Sequence, residues 1–321
     1  MTRPLVYVAR RIPEIAFQLI AEHAEVRLHT GALPPTRAEL CAGVKGCVGV
    51  LSLLSDRMDA EVFDAAGPQL KVVSNFAVGY NNIDVAEARR RGIAVGNTPG
   101  VLTEATADIA VALLLAAARR LPEGWQAVQQ LEWKTWEPLG WMGLDLAGKT
   151  LGIVGLGRIG TAVAQRLHGG WGMKVLYTAR TAKPEFDQKF HARHVPLNEL
   201  LRDSDFVSLH VPLNDDTRKL IGKAEFEQMK RTTILINTAR GEVLDQVALH
   251  AALSSNRIFA AGLDVCEPEP LPADSPLRTL SNCLIVPHIG SATITARNAM
   301  AERSARNLIA GVLGQALPYA V

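Results

Sequence analysis

The chain has 321 residues, of which 48% are hydrophobic and 21% charged. This balance is typical of a soluble globular protein with room for two domains, and it excludes a disordered chain, a collagen-like repeat and a coiled coil. The 34 basic and 32 acidic residues leave a net charge of +2, so nothing in the overall charge predicts nucleic acid or an anionic membrane as a partner. The longest apolar stretch, Ile109–Ala118, is about half the length of the roughly 20 residues that a membrane span needs.

The N-terminal region and the cysteines indicate a cytoplasmic protein. The apolar run Leu5–Ala9 is too short for the core of a signal peptide, and two arginines follow it directly, so we interpret it as a first strand. The four cysteines form no C-x-x-C pair, and we expect reduced, mostly buried thiols rather than a disulfide framework.

Strands and helices alternate in the first hundred residues. Further apolar runs predict strands at Val48–Leu51, Val72–Phe76 and Ala94–Gly96. Helical patterns lie between them, at Ile12–Ala24 and Asp59–Ala66. This alternation predicts a parallel sheet with helices on both faces.

The strongest helix signal is Thr103–Leu121, whose middle is apolar on nearly every side and which we therefore expect to be buried on more than one face. The following stretch, Pro122–Lys149, holds four of the five tryptophans together with proline and glycine. We interpret it as an irregular loop packed against another subunit. The alternative is that it packs on its own chain.

A second alternation begins at Thr150. Strands are predicted at Leu151–Val154, Lys174–Tyr177, Phe206–His210, Thr233–Asn237, Ala260–Asp264 and Cys283–Val286. The final segment, Ala292–Leu313, predicts one long amphipathic helix. The chain is therefore expected to be an α/β protein.

The strand Leu151–Val154 enters a G-x-G-x-x-G motif, which is typical of a dinucleotide-binding turn. Gly155 would allow the tight turn, Gly157 the close approach of a pyrophosphate, and Gly160 the packing of helix on strand. The alternative is a glycine-rich turn without a ligand.

The residues after the next strand indicate which cofactor binds. NAD-preferring sites usually have an acidic residue at this position, whereas this chain has Arg180, Thr181 and Lys183. Cationic side chains there favour a 2′-phosphate and hence NADP (NADPH). The alternative left open is that Arg180 only stacks on adenine and that NAD is also used.

Three polar residues follow strands of this second half: Arg240, Glu269 and His288. Ligands of parallel sheets bind beyond the carboxyl ends of the strands, so we expect the three to converge. These three side chains suit the reduction of a 2-keto acid. The histidine can protonate the developing alkoxide, the glutamate can favour the protonated form of that histidine, and the arginine can bind the substrate carboxylate.

With these motifs the chain resembles the D-isomer-specific 2-hydroxyacid dehydrogenases over essentially its whole length, and within them the glyoxylate/hydroxypyruvate reductases most. The matching stretches are Val78–Asp84, Asn97–Thr103, Gly155–Gly160, Leu176–Arg180, Asn237–Gly241, Gly262–Val265, Pro268–Pro270 and Pro287–Thr293.

The resemblance implies specific roles for residues of this chain. The catalytic set would be Arg240, Glu269 and His288, and Arg240 and His288 would bind substrate together with the backbone amides of Val78 and Gly79. A larger set would contact the cofactor: Thr106, Gly155, Gly157, Arg158, Ile159, Gly160, Arg180, Thr181, Lys183, Val211, Thr238, Arg240, Asp264, His288 and Gly290. A metal site is not expected, because His191 and His194 have no third ligand nearby.

The resemblance also implies two doubly wound domains with the substrate in a cleft between them. Residues 1–100 and 289–321 would form a flavodoxin-like substrate domain, and residues 101–288 an NAD(P)-binding Rossmann domain. A homodimer would form through residues 102–149. The expected activity is NADPH-preferring reduction of small 2-keto acids, glyoxylate and hydroxypyruvate, to D-2-hydroxy acids by hydride transfer, with His288 as proton donor. Two alternatives stay open: 2-ketogluconate reductase or another D-2-hydroxyacid dehydrogenase, and, in a different class, a dinucleotide-sensing regulatory protein.

Overall fold

The computed structural model describes residues 3–321. The chain forms two compact units: the first contains the chain up to Leu102 together with Ala292–Val321, and the second is Thr103–Ser291. Every pair of neighbouring strands in both sheets is parallel. This confirms the α/β class and the two parallel-sheet domains expected from the alternating pattern.

The strands, in chain order, are β1 (Leu5–Val8), β2 (Glu25–Leu28), β3 (Gly49–Ser52), β4 (Val72–Asn75), β5 (Ala94–Gly96), β6 (Thr150–Val154), β7 (Lys174–Thr178), β8 (Arg193–His194), β9 (Phe206–Leu209), β10 (Ile234–Asn237), β11 (Ala260–Leu263) and β12 (Cys283–Ile285). The α-helices are α1 (Glu14–Ala21), α2 (Arg37–Gly43), α3 (Ala60–Ala66), α4 (Val85–Arg90), α5 (Thr103–Ala118), α6 (Leu121–Gln129), α7 (Arg158–Trp171), α8 (Pro184–Phe190), α9 (Leu197–Asp203), α10 (Lys223–Gln228), α11 (Gln246–Ser254) and α12 (Ile294–Val312).

The strand order of each sheet determines where a ligand can bind. The first sheet runs β2-β1-β3-β4-β5, and the second runs β12-β11-β10-β9-β6-β7-β8. In the second sheet the order reverses between β6 and β9, which is the switch point where doubly wound sheets bind dinucleotides. The turn after β6 is the one that carries the G-x-G-x-x-G motif.

Helix α5 confirms its predicted burial. It packs on α7 and on strands β10 and β11, and eight of its residues are buried. Helix α5 ends at Ala118 rather than at Leu121, because Arg120 takes a left-handed conformation with φ 51°. Arg120 then forms a two-pronged ion pair with Glu123, at 2.6 and 3.0 Å, in the first turn of α6.

The segment after α5 and the edges of the sheets differ from the sequence-based expectation. The tryptophan-rich stretch is not wholly irregular, since its first part forms helix α6, helped by Pro122 at the start, where a proline fits the first helical turn. Strands β2 and β8 were not predicted. Both are short edge strands. In β2 exposed and half-buried residues alternate, and both residues of β8 are exposed, so neither strand has the continuous apolar run of a buried strand.

Between residues 3 and 321 no helix combines the length and the apolar character that a membrane crossing requires. The four cysteines are unpaired; Cys47 is buried and the other three are partly buried.

Candidate active site

The turn between β6 and α7 needs glycine at two of its three motif positions for steric reasons. Gly155 has a φ of +97°, and a Cβ there would lie 2.8 Å from the carbonyl carbon of His210. A Cβ on Gly160 would lie 2.4 Å from the carbonyl oxygen of Gly155. These contacts lock the turn against β9 and bring the first turn of α7 close to it.

The third glycine leaves open space at the start of the helix. A Cβ on Gly157, the N-cap of α7, would meet nothing within 4 Å. Arg158 and Ile159 follow in the first helical turn, the former exposed and the latter half-buried. The free backbone amides of a helix N-terminus bind phosphate, so the shape and chemistry of this turn fit a dinucleotide.

A buried polar atom just after β10 has no protein partner among the described residues. Thr238 follows β10 and is 8% exposed, and its Oγ1 forms no hydrogen bond with the described residues. A buried hydroxyl without a partner costs free energy, and a ligand hydroxyl or amide would remove that cost. Val211, two residues after β9, is half-buried and lies against the Gly155 position.

The loop 179–183 carries the three residues predicted to select the cofactor. Its two ends are tied down: His194 Nε2 lies 2.9 Å from the Ala179 carbonyl oxygen, and the Lys183 amide donates to the Tyr177 hydroxyl at 2.7 Å. Arg180, Thr181 and Lys183 are exposed. Over residues 3–321 neither cation forms an ion pair, so both charges are available to a phosphate.

The predicted acid and its carboxylate partner are in direct contact. His288 Nδ1 lies 2.8 Å from Glu269 Oε2, and the two side chains are 29% and 38% exposed. Glu269 Oε1 also accepts a hydrogen bond of 3.2 Å from the Cys266 amide. Burial raises the pKa of Glu269, but its hydrogen bonds to His288 and to the Cys266 amide, together with the charges of His288 and Arg240, lower it overall. Because Nδ1 is engaged, Nε2 is the ring atom left for a substrate.

Arg240 lies on the loop after β10. Asn237 Nδ2 donates to the Arg240 carbonyl at 2.8 Å, and Arg240 Nη1 donates to the Ala239 carbonyl at 2.7 Å. Burial lowers the pKa of Arg240, and the negative charge of Glu269 opposes this effect. A guanidinium stays protonated at neutral pH even so. Glu269 thus contacts His288 directly, and its negative charge also acts on Arg240; a shared catalytic role for the three stays a prediction.

The turn that carries His288 is held by two residues whose structural role the sequence did not reveal. His288 has a φ of 52°, in the left-handed region that non-glycine residues rarely adopt. Asp264, 1% exposed, accepts the Ile289 amide on Oδ1 at 2.6 Å and the Gly290 amide on Oδ2 at 2.7 Å. Thr106 Oγ1 donates to the Gly290 carbonyl at 3.1 Å. Asp264 and Thr106 thus shape this turn, whatever they contact in a cofactor.

The two remaining predicted residues, Val78 and Gly79, lie in the first unit, on the loop after β4. Both are half-buried. Within residues 3–321 their backbone N–H groups donate to no protein acceptor. Two adjacent backbone N–H groups without a protein acceptor can bind an anion. No group of three or more potential metal ligands occurs in the described part of the chain.

Comparison with known proteins agrees with this geometry. Residues 111–290 match the D-isomer specific 2-hydroxyacid dehydrogenase, NAD binding domain family. A glyoxylate reductase of Korarchaeum cryptofilum is 50% identical over 99% of this chain and 96% of its own length.

Two solved structures are similar over nearly the whole chain. One, from Thermus thermophilus, has a TM-score of 0.92 and 47% identity, and covers 99% of both chains. The other is the NADPH-dependent glyoxylate/hydroxypyruvate reductase of Sinorhizobium meliloti in complex with NADP and malonate, with a TM-score of 0.87, 33% identity and coverage of 100% of this chain and 97% of that one. The chain therefore belongs to the D-isomer specific 2-hydroxyacid dehydrogenases and is an NAD(P)-dependent oxidoreductase of that family.

Proposed function

We propose that the protein is an NADPH-preferring reductase of small 2-keto acids, glyoxylate and hydroxypyruvate, with His288 as the proton donor. The observation that carries the proposal is the 2.8 Å pair of His288 and Glu269, in the same unit as the dinucleotide turn. The name of the Korarchaeum relative supports glyoxylate as a substrate. The name of the Sinorhizobium structure supports hydroxypyruvate and NADPH.

Each proposed residue has a defined chemical task. A bound reduced nicotinamide supplies a hydride to the carbonyl carbon of the keto acid. The C=O double bond becomes a C–O single bond, and the oxygen takes the proton of His288 Nε2 to give the hydroxy acid. Glu269 stabilises the imidazolium before transfer and holds its ring in place. Arg240 and the amides of Val78 and Gly79 bind the substrate carboxylate.

The preference for NADPH rests on the loop 179–183. Arg180 and Lys183 are exposed cations on a loop tied at both ends, and the loop contains no carboxylate that would repel a 2′-phosphate. A guanidinium binds phosphate through two parallel hydrogen bonds. The competing hypothesis is that Arg180 stacks on the adenine and both cofactors are used.

We assign substrate binding to the first unit and cofactor binding to the second, and we propose that the protein is cytoplasmic. We also propose that it forms a homodimer through residues 102–149. Trp133 and Trp136 are 60% and 80% exposed, and Leu139 is 77% exposed. Several large apolar side chains exposed in one segment mark an interaction surface.

A steady-state panel tests the function. We expect NADPH-dependent turnover of glyoxylate and hydroxypyruvate at a higher kcat/KM than with pyruvate or 2-ketogluconate, and a lower kcat/KM for each with NADH. Higher kcat/KM with 2-ketogluconate would favour the first alternative. Cofactor binding without turnover of any keto acid would favour a regulatory protein.

A further inference from the structure

The loop after β4 presents two adjacent backbone N–H groups, those of Val78 and Gly79, that donate to no acceptor in residues 3–321. Their direction depends on the peptide planes to which they belong. In a trans peptide the N–H of one residue points opposite to the C=O of the residue before it. The bonds preceding Val78 and Gly79 are not among the cis peptides of the described chain. The carbonyls of Ala77 and Val78 therefore decide where these two N–H groups point.

Both carbonyls are bound by consecutive groups at the end of β5. The Thr98 amide donates to the Ala77 carbonyl at 2.9 Å. The side chain of Asn97 donates through Nδ2 to the Val78 carbonyl at 2.7 Å. Because both carbonyls face residues 97–98, the N–H groups of Val78 and Gly79 both point away from that segment, side by side.

Asn97 is itself held by a buried network. It is 9% exposed, and Asn307 of α12 is fully buried. Asn307 Nδ2 donates to the Asn97 carbonyl at 2.9 Å, and the Asn97 amide donates to the Tyr319 carbonyl at 3.1 Å. Asn307 Oδ1 accepts the Tyr319 amide at 3.0 Å. The backbone N–H and carbonyl of Asn97 and its side-chain Nδ2 are thus all hydrogen-bonded, which restricts the direction of its side-chain amide.

We infer that Asn97 is a positioning residue for the substrate carboxylate: by binding the Val78 carbonyl it aims the Gly79 N–H at the anion. This inference rests on the proposed function, in which the amides of Val78 and Gly79 bind that carboxylate. Asn97 touches neither substrate nor cofactor in this account. The direction of the Gly79 N–H depends on the side chain of Asn97, whereas that of the Val78 N–H depends on the backbone N–H of Thr98. Shortening or replacing the Asn97 side chain therefore acts on the Gly79 N–H alone.

The test compares two substitutions with a matched control. Asn97→Ala removes the amide donor, and Asn97→Asp keeps the side-chain shape but places an acceptor against the Val78 carbonyl. The loop keeps a second attachment in both variants, because Asn75 Nδ2 donates to the Gly79 carbonyl at 2.8 Å. The control is Gln69→Ala in the same unit, which removes an amide that donates to the carbonyls of Cys47, just before β3, and Ala66, the last residue of α3.

The readouts are the dissociation constant of oxamate from the enzyme–NADPH complex and the KM and kcat for glyoxylate. A misaimed hydrogen bond to a carboxylate should weaken oxamate binding about tenfold in Asn97→Ala and further in Asn97→Asp. KM should rise with kcat little changed, because the carboxylate is bound equally in the ground and transition states. The affinity for NADPH should stay at the wild-type value, and Gln69→Ala should change none of these constants.

The outcomes separate this inference from the function on which it rests. Unchanged oxamate affinity and KM in either folded Asn97 variant would overturn the role of Asn97 while leaving the function intact. An equal loss in Gln69→Ala would also overturn it, since the effect would then be general destabilisation. Failure of the wild-type enzyme to reduce glyoxylate or to bind oxamate would instead refute the proposed function.

Discussion

Asp264 offers a sharp test of how the His288 turn is held, through the substitution Asp264→Asn. The Ile289 and Gly290 amides donate to different carboxylate oxygens, at 2.6 and 2.7 Å. An asparagine has one carbonyl oxygen and one NH₂ group, so one of the two backbone donors would face another donor. The matched control is Asp245→Asn, because Asp245 accepts the Val247 and Ala248 amides on the same oxygen, Oδ1. An asparagine can accept both.

The expected cost follows from these contacts. Losing a hydrogen bond to a charged acceptor and leaving a buried N–H unpaired costs about 2–4 kcal/mol. Burial raises the pKa of Asp264, although the two amides lower it. A neutral asparagine avoids burying a charge, so the expected net loss in the free energy of unfolding is about 2 kcal/mol. For a unit of this size we expect Tm to fall by roughly 4–8 °C. A displaced His288 should also lower kcat/KM on the order of 100-fold.

The assays are calorimetric unfolding and steady-state reduction of glyoxylate, with Asp245→Asn measured beside Asp264→Asn. We expect the control to stay within about 0.5 kcal/mol of wild type, since asparagine caps helices as well as aspartate does. If Asp264→Asn unfolds at the wild-type temperature with full activity, the two hydrogen bonds do not hold the turn.

Three other substitutions test separate parts of the site. Arg180→Ala should raise KM for NADPH at least about tenfold more than KM for NADH, whereas the control Arg193→Ala, which removes an exposed arginine of the same unit, should change neither constant. Equal effects of Arg180→Ala on both cofactors would contradict a role of Arg180 in selecting NADP. Glu269→Gln removes the negative charge that favours the His288 imidazolium, so the alkaline limb of the pH profile of kcat/KM for glyoxylate reduction should move to lower pH. An alkaline limb that stays in place or moves to higher pH would rule out this role of Glu269. Thr238→Val removes a buried hydroxyl without a partner, so Tm should stay the same or rise, while the affinity for NADPH should fall. Unchanged NADPH affinity would show that the hydroxyl does not contact the cofactor.

The alternating pattern predicted the fold well because buried parallel strands are continuous apolar runs. Edge strands lack that signal, and β2 and β8 were accordingly missed. Residues 122–129 were predicted to belong to an irregular loop because their tryptophan and glycine obscure the helical pattern, whereas Pro122 and the Arg120–Glu123 ion pair favour a helix start.

The chemistry of the site was easier to predict than its support. Arg240, Glu269 and His288 follow strands and carry chemically informative side chains, so the sequence points to them directly. The tie between Tyr177 and Lys183, the paired hydrogen bonds of Asp264 and the contact of Asn97 with Val78 join residues that are distant in the chain or act through backbone groups. Motif spacing contains no information on such contacts; only the folded backbone reveals them.

In the proposed function, His288 delivers the proton that completes the reduction of the keto acid. The decisive measurement is the single-turnover rate of NADPH oxidation by glyoxylate in His288→Gln, taken beside the equilibrium affinity for NADPH. Loss of a general acid should slow that rate by about 10²–10⁴-fold and leave the NADPH dissociation constant within about twofold of wild type. A rate near wild type, or a collapse of NADPH affinity that accounts for the loss, would contradict the claim.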